Sequence, residues 1–271
     1  MKGDFMRNVG MLVSYDGTAY SGFQIQPNED TIQGRIEQAI KMLTNESISI
    51  HASGRTDAGV HAYGQVFHFM TESAIPIDRW TIAINSRLPD DIVIRETWEA
   101  PLSFHSRYSS KRKTYRYSII AERKPDVFRR LTEFFYPKPL DVRAMQEAIT
   151  HIVGEHDFTS FTSPKSTKVS NVRTIYDAHI EYEPSVTGEE GRGRIHIVVT
   201  GNGFLYNMVR IIAGTLIRVG QGKLAPHDIP RILEAKNRQV AGPLAVPHGL
   251  MLWSVEYGGE ERLESINNVS E

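Results

Sequence analysis

The sequence predicts an α+β protein made of two tandem ferredoxin-like halves, each with the element order β-α-β-β-α-β. Three observations support this class. Strand-like runs alternate along the chain with runs whose apolar residues recur at helical spacing. The same order of elements occurs twice, with a boundary near residues 105–112. The length of 271 residues is enough for two domains of ordinary size.

The first half begins with an apolar strand from Asn8 to Tyr15, followed by a polar loop and a helix. Thr31 is a residue type that caps helix N-termini, and apolar residues then recur at helical spacing from Ile32 to Leu43. Two strands on either side of a short polar loop, a second helix and a closing strand complete the half. These elements are predicted at 48–51, 65–70, 77–88 and 91–97.

The second half repeats this order. Its predicted elements are a strand at 113–120, a helix at 141–153, strands at 172–182 and 194–200, a long apolar helix at 204–219, an added helix at 226–235 and a strand at 250–257. Helices on one face of each antiparallel sheet would leave the other face available, with a central active-site cleft between the halves. We predict domains at 1–108 and 109–258, and a polar tail at 259–271.

The composition excludes several classes of protein. The chain has no cysteine, which excludes disulfides, thiolate nucleophiles and cysteine-ligated zinc. No apolar run approaches the ~18 residues of a membrane span, and the first residues lack the apolar core of a signal peptide. We therefore predict a cytoplasmic protein with no membrane association.

Charge is distributed unevenly, although the formal net charge is only −1. Residues 101–140 contain ten Lys or Arg and three acidic residues, so this basic segment carries +7 and the rest of the chain −8. A second stretch, 162–173, contains Lys165, Lys168 and Arg173 and no acid. Such patches are typical of proteins that bind a polyanion, and the alternative is a solvated basic face.

Residues 52–62 have the sequence ASGRTDAGVHA, a short polar loop that precedes an apolar strand. Its one carboxylate, Asp57, lies between Gly54 and Gly59 and follows Arg55 by two positions. A loop held on a strand is a common way to present a reactive side chain, so we predict that Asp57 is catalytic. The alternatives are an Asx-type turn and a metal site with His51, His61 and His68, for which the spacing is poor.

A glycine-rich turn opens the apolar helix in the second half, within the sequence GNGFLYNMVR at 201–210. Arg210 lies in this apolar run, and a buried guanidinium needs an anionic partner. Pairing Arg210 with Asp57 would keep the carboxylate ionised and oriented. The alternative is that Arg210 extends to solvent at the helix surface.

Two further stretches are candidates for substrate binding. KRKTYRY at 111–117 interleaves Lys111 and Arg112 with aromatic residues, and Tyr115 would point to the same side of a strand as Tyr117. Aromatic rings beside cations suit stacking on an unpaired base, whereas the alternative is a tyrosine in the sheet core. The apolar loop GPLAVPHGL at 242–250 contains Leu244 and is either a pocket wall or ordinary turn chemistry.

These motifs together resemble the tRNA pseudouridine synthase A (TruA) family, from about Met11 to Tyr257. The resemblance includes YDGTAYSGFQIQP at 15–27, ASGRTDAGVHA, KRKTYRY, GNGFLYNMVR and GPLAVPHGL, in the order of the family. It implies that Asp57 is the catalytic aspartate and that Arg210 pairs with it. It also implies that Tyr115 stacks on the target base and that Arg55 helps to extrude the target nucleotide.

The resemblance further implies an isomerase that converts uridine to pseudouridine in the anticodon stem-loop of tRNA, at positions 38, 39 and 40 of the tRNA. A homodimer with no cofactor and no metal is implied as well. Three alternatives remain open at this point: a catalytically silent RNA-binding module, a metal-dependent hydrolase that uses the histidines, and a paralogue that acts on a different RNA.

Overall fold

The computed structural model describes residues 6–163 and 170–258. The chain divides into two compact units: unit 1 contains Met1–Lys111 and Leu252–Glu271, and unit 2 contains Arg112–Met251. Strands and helices occur in both units, which confirms the mixed α+β class. The predicted tail at 259–271, and Lys165 and Lys168 of the second basic stretch, lie outside the described residues. The predicted domain limits stay a prediction.

The described strands and helices follow one another along the chain as ten strands and five α-helices. In chain order they are β1 (Arg7–Tyr15), α1 (Ile32–Thr44), β2 (His51–Ala52), β3 (His61–Thr71), α2 (Ile77–Asn85), β4 (Ile92–Ala100), β5 (Ser110–Ala121), β6 (Phe134–Tyr136), α3 (Val142–Thr150), β7 (Gly154–Asp157), β8 (Val172–Pro184), β9 (Gly193–Gly201), α4 (Met208–Gly220), α5 (Asp228–Ala235) and β10 (Leu250–Tyr257).

In unit 1 the strand order is β4-β1-β3-β10, with β2 paired to β3, and β1 runs antiparallel to β3 and β4. One face of this sheet forms the core with the helices. Val9 of β1 pairs with Phe69 of β3, whose ring lies 5.4 Å from that of the fully buried Trp80 of α2. α1 begins where predicted, because the Thr31 side chain accepts a hydrogen bond from the Gly34 N–H.

The opposite face of this sheet contains a row in which Trp98 of β4, Gly10 of β1 and His68 of β3 are paired. The Trp98 indole lies directly over Gly10, so any side chain at position 10 would overlap it. Phe104, from the segment after β4, contacts both Trp98 and His68, with ring centroids 6.4 and 5.8 Å apart. This face of unit 1 is therefore partly covered by its own chain.

In unit 2 the strand order is β5-β9-β8-β7, with β6 parallel to β5. Tyr115, Tyr117 and Ile119 of β5 are buried opposite alternate apolar residues of β9, which forms the core face of this sheet. α4 is buried nearly all round, and α3 packs against its end, where Met145 contacts Gly220. No helix within the described ranges is both long and apolar enough to cross a membrane.

The other face of the sheet in unit 2 carries a network of charged and polar side chains. Arg194 of β9 forms ion pairs with Glu133 at 2.7 Å and with Glu183 at 2.8 Å. Next to it, the His196 Nδ1 lies 2.9 Å from the Ser118 hydroxyl. Burial and the charges of neighbouring arginines lower the pKa of His196, so this buried ring is held neutral.

Several element limits differ from the predictions. β2 contains only two residues, because its pairing with β3 stops after His51 and Ala52. α4 begins at Met208 rather than at residue 204, because Asn207 has a φ of 63° and interrupts the helical path. β6 and β7 were not predicted from the sequence, because they are too short to show a periodic pattern.

Three histidines of unit 1 lie together beside Phe104. The ring centroid of His68 is 5.2 Å from that of His51 and 4.7 Å from that of His105. Burial, followed by the charges of His105 and His51, lowers the pKa of His68 to about 4. The Ser106 N–H donates to the His68 Nδ1, so the folded state favours the neutral ring.

This cluster predicts a loss of stability in mild acid. Between the ordinary histidine pKa and the lowered pKa of His68, the unfolded chain binds a proton that the folded chain does not. Stability should therefore be full above about pH 6.5 and should fall towards pH 4, by at most ~1.4 kcal/mol per pH unit. Urea unfolding at several pH values measures this slope. His68→Gln should flatten it and the exposed His227→Gln should not; equal slopes for all three proteins would contradict the assignment.

Candidate active site

The Asp57 loop, residues 53–60, joins β2 to β3 in unit 1. The Val60 N–H donates to the Asp57 carbonyl oxygen at 3.1 Å, and Gly59 has a φ of +72°, so the chain turns sharply directly after Asp57. Thr56 is buried, whereas Arg55 is exposed and Asp57 is half-buried. The loop thus holds the Thr56 side chain inside unit 1 and places the Arg55 guanidinium and the Asp57 carboxylate towards the surface of that unit.

The segment 16–23 packs directly against the Asp57 loop. A side chain at Gly17 would overlap the Val60 carbonyl oxygen, and one at Gly22 would lie 2.9 Å from the Thr56 carbonyl oxygen. Gly22 also has a φ of +96°, which favours glycine. The Phe23 N–H donates to the same Thr56 oxygen at 3.1 Å. The predicted opening motif and the predicted catalytic loop are therefore brought together by backbone contacts.

The structure gives no support to the metal alternative for the histidines near Asp57. His61 is buried, and its Nδ1 accepts a hydrogen bond from the Gly17 N–H at 3.0 Å, which occupies one of the two possible ligand atoms. His51 pairs in register with His68, away from His61. Across residues 6–163 and 170–258, no three His, Asp or Glu side chains are grouped so that they could hold a metal ion.

In unit 2 the GNGFLYNMVR and GPLAVPHGL motifs are joined around Arg210. The Arg210 side chain donates from Nε to the Ala245 carbonyl oxygen at 2.8 Å and from a terminal nitrogen to the Asn207 Oδ1 at 3.2 Å. The Arg210 carbonyl oxygen accepts from the Ala245 N–H at 3.2 Å. The guanidinium is half-buried, with its direction fixed by these contacts.

Two glycines bring the 242–249 loop onto α4. A side chain at Gly214 of α4 would overlap the Pro243 carbonyl oxygen, and the Gly242 N–H donates to the Thr215 hydroxyl at 2.9 Å. Leu244, at the outer side of this loop, is 41% exposed. The loop is thus a fixed apolar wall beside Arg210, and Leu244 is available for contact with a ligand of unit 2.

Tyr115 lies on the core face of β5 and is 8% exposed. Its ring meets that of Phe204 edge to face, with centroids 5.0 Å apart, which joins the KRKTYRY and GNGFLYNMVR motifs. Tyr117 is more deeply buried and donates to the Val246 carbonyl oxygen at 3.1 Å. Burial raises the pKa of Tyr117, and the nearby charge of Arg210 acts in the opposite direction.

The basic segment is not a uniform cationic strip. Arg123 pairs with Glu189 at 2.9 Å, and Arg129 pairs with Glu133 at 3.2 Å, so part of its charge is neutralised locally. Lys111 and Arg112 are exposed, and the Arg112 guanidinium lies 4.8 Å from the centre of the Tyr176 ring. Tyr176 was not predicted from the sequence, because no local pattern distinguishes it; it lies on β8 and is 44% exposed.

The predicted site residues are divided between the units. Arg55, Asp57 and Lys111 lie in unit 1, and the remaining four lie in unit 2, namely Arg112, Tyr115, Arg210 and Leu244. Within each unit the motifs that carry them are brought into contact. The pairing of Asp57 with Arg210 stays a prediction, as do the roles assigned to the other residues.

Comparison with known proteins accounts for this arrangement of motifs. A family model described as tRNA pseudouridine synthase matches residues 11–109 and 148–258. The chain is 48% identical to tRNA pseudouridine synthase A of Caldicellulosiruptor bescii, over 93% of this chain and 100% of that protein. The chain belongs to the tRNA pseudouridine synthase family. It is therefore an isomerase that acts on tRNA.

Other relatives carry the same name and extend over nearly the whole chain. The Brevibacillus brevis tRNA pseudouridine synthase A is 48% identical over 93% of this chain and 100% of that protein. The Halalkalibacterium halodurans protein of this name is 47% identical over 91% of both chains. Both units of this chain therefore belong to the shared family architecture.

Proposed function

We propose that this pseudouridine synthase modifies uridines in the anticodon stem-loop of tRNA, at positions 38, 39 and 40, and that Asp57 is its catalytic carboxylate. The observation that carries the proposal is the arrangement of the Asp57 loop. A single half-buried carboxylate is fixed beside an exposed arginine by backbone contacts with the 16–23 segment. One fixed carboxylate with a cation beside it is what this isomerisation needs.

The reaction requires neither a redox step nor a group donor. The bond between ribose C1′ and uracil N1 breaks, the base turns, and C1′ forms a bond to C5. C5 then loses its proton and N1 gains one, so atoms and electrons balance. A carboxylate serves this sequence either as a nucleophile or as a base at the ribose. The arrangement of Asp57 is compatible with both routes.

The target uridine must leave its stack before Asp57 can reach the ribose, at a cost of a few kcal/mol. Arg55 is exposed two residues before Asp57, and we assign it the role of filling the space that the base leaves. Tyr115 is assigned to stacking on the extruded base. Its edge-to-face contact with Phe204 restricts the ring and so lowers the entropy lost on binding.

We assign Arg210 as the ion-pair partner of Asp57. Its contacts with the Asn207 Oδ1 and the Ala245 carbonyl oxygen hold the guanidinium in one direction. A cation held in this way would keep a carboxylate ionised at neutral pH. Leu244 on the adjoining loop is proposed to contact the substrate as part of the apolar wall.

The proposal also includes the finer architecture and assembly. The order β4-β1-β3, with β2 on the far side of β3, and the order β5-β9-β8 support two ferredoxin-like halves, with the catalytic loop in the first. A homodimer, the absence of a cofactor and a cytoplasmic location are proposed on the resemblance to the family.

Asp57→Ala should abolish isomerisation and leave tRNA binding nearly unchanged, because the carboxylate acts on the ribose or base rather than on the phosphates. Release of tritium from tRNA transcripts labelled at uridine C5 measures turnover, and filter binding measures affinity. Wild-type release from the anticodon stem-loop alone would support the proposed positions. Turnover by Asp57→Ala would contradict the catalytic assignment, and binding without turnover by the wild type would favour a silent RNA-binding module.

Tyr115→Phe should retain most activity, whereas Tyr115→Leu should lose about 10- to 100-fold. The phenyl ring keeps the surface on which a base stacks, and stacking contributes ~1–3 kcal/mol per base. Single-turnover rates with saturating enzyme measure this difference. Phe204→Leu is a control for the edge-to-face contact alone. Equal rates for the Phe and Leu variants at position 115 would exclude a stacking role.

Replacing Lys111 and Arg112 by Gln should weaken tRNA binding and reduce its salt dependence, because each phosphate contact contributes about 0.7–0.9 to the slope of log K against log salt. We expect the slope to fall by about 1.5 for the double variant. Arg123→Gln is the matched control, because Arg123 is paired with Glu189. An unchanged slope for the double variant would assign these two cations to solvent.

A further inference from the structure

Gln65 of β3 lies beneath the Asp57 loop with its side chain fully buried. Removing a carboxamide from water costs free energy unless its donors and acceptor find partners. Glutamine is also an unusual choice directly before residues as apolar as Val66 and Phe67. Gln65 is therefore a buried polar residue directly below the loop that carries the proposed catalytic residue.

The contacts of Gln65 reach the residues immediately before Arg55. Its Oε1 accepts a hydrogen bond from the Ser53 hydroxyl at 2.6 Å and one from the Val66 N–H at 3.2 Å. Its Nε2 donates to the Gly54 carbonyl oxygen at 2.8 Å. The carboxamide therefore holds the first two residues of the loop, one through its side chain and one through its backbone.

A second buried contact holds the middle of the loop. The Tyr15 hydroxyl lies 2.7 Å from the Thr56 hydroxyl, with both side chains buried. Burial raises the pKa of Tyr15, and its hydrogen bonds with Thr56 and Gln65 act against this rise. Gln65 thus links Ser53 and Gly54 to Thr56 through Tyr15, in one buried polar network.

Along the loop, residues held by the network alternate with residues that are proposed to act in the reaction. Ser53 and Thr56 point into unit 1 and are held, whereas Arg55 is exposed and Asp57 is half-buried. A reacting carboxylate must be fixed closely, since a displacement of about 1 Å costs on the order of 100-fold in rate. Segment 16–23 restrains this loop from one side, and the Gln65 network restrains it from beneath.

We propose that Gln65 is a positioning residue for the isomerisation, which sets the places of Arg55 and Asp57 by holding Ser53, Gly54 and, through Tyr15, Thr56. The assignment rests on the proposed catalytic role of Asp57. Gln65 itself does not contact the substrate. Its pairing with Val13 in the sheet uses only backbone atoms, so the strand does not depend on the carboxamide.

The decisive comparison uses Gln65→Leu and Gln65→Glu. Leucine fills a similar volume without hydrogen bonds, so kcat should fall by about 100-fold while the Kd for tRNA stays close to the wild-type value. A protonated carboxyl keeps one donor and one acceptor, and burial raises its pKa. Compared with the wild type at the same pH, Gln65→Glu should therefore be nearly fully active at low pH and should lose kcat as the pH rises.

Controls separate positioning from stability. Gln33→Leu removes another buried glutamine, which contacts Glu37 and Ile25 rather than residues 53–57. It should lower the Tm with little change in kcat. Tyr15→Phe removes only the hydroxyl at Thr56 and should lower kcat with the fold intact, so the proposal is also tested if Gln65→Leu does not fold.

Tritium release by the wild type and by Asp57→Ala is measured in the same experiment. If the wild type is active and Asp57→Ala is not, while Gln65→Leu and Tyr15→Phe match the wild-type kcat, the positioning role is overturned and the proposed function stands. The same conclusion follows if Gln65→Glu shows the wild-type pH profile. If Asp57→Ala is active, the proposed function fails and this assignment fails with it.

Discussion

The structure around the proposed catalytic loop depends on the close approach of two backbone segments. At Gly17 and Gly22 the chain lies so near to residues 56–60 that no side chain fits between them. The opposing atoms belong mainly to the backbone, which cannot rotate away as a side chain can. The position of Asp57 is therefore restrained by segment 16–23, which lies much earlier in the chain. Glycine is needed at positions 17 and 22 for this close contact, and not to make the segment flexible.

Local patterns were enough to predict most of the helices and strands and the mixed α+β class. The N-cap at Thr31 and the apolar strand β1 are visible in short windows, because capping and burial act on neighbouring residues. Contacts between distant segments leave no such pattern. The cation–π pair of Arg112 with Tyr176 joins β5 to β8 across an intervening strand, and nothing in either segment indicates the other.

The same limit applies to the charge of the basic segment. A count of residues assigns a charge of +7 to 101–140, yet Arg123 is paired with Glu189, an acid outside that segment. The segment partly serves the structure of its own unit, and Glu133, one of its three acids, is buried as the shared partner of Arg129 and Arg194. Cations available to a polyanion are consequently fewer than the composition suggests.

Unit 1 is not continuous in the chain, because it closes with β10 after unit 2 has been traversed. β10 lies against β3 so closely that Gly64 has no room for a side chain beside the Trp253 carbonyl oxygen. During synthesis the ribosome must therefore add about 140 further residues before this strand exists, which takes roughly ten seconds at ordinary elongation rates. Until then the part of β3 around Gly64 has an unpaired edge, and the nascent chain is open there to pairing with other strands or to chaperone binding.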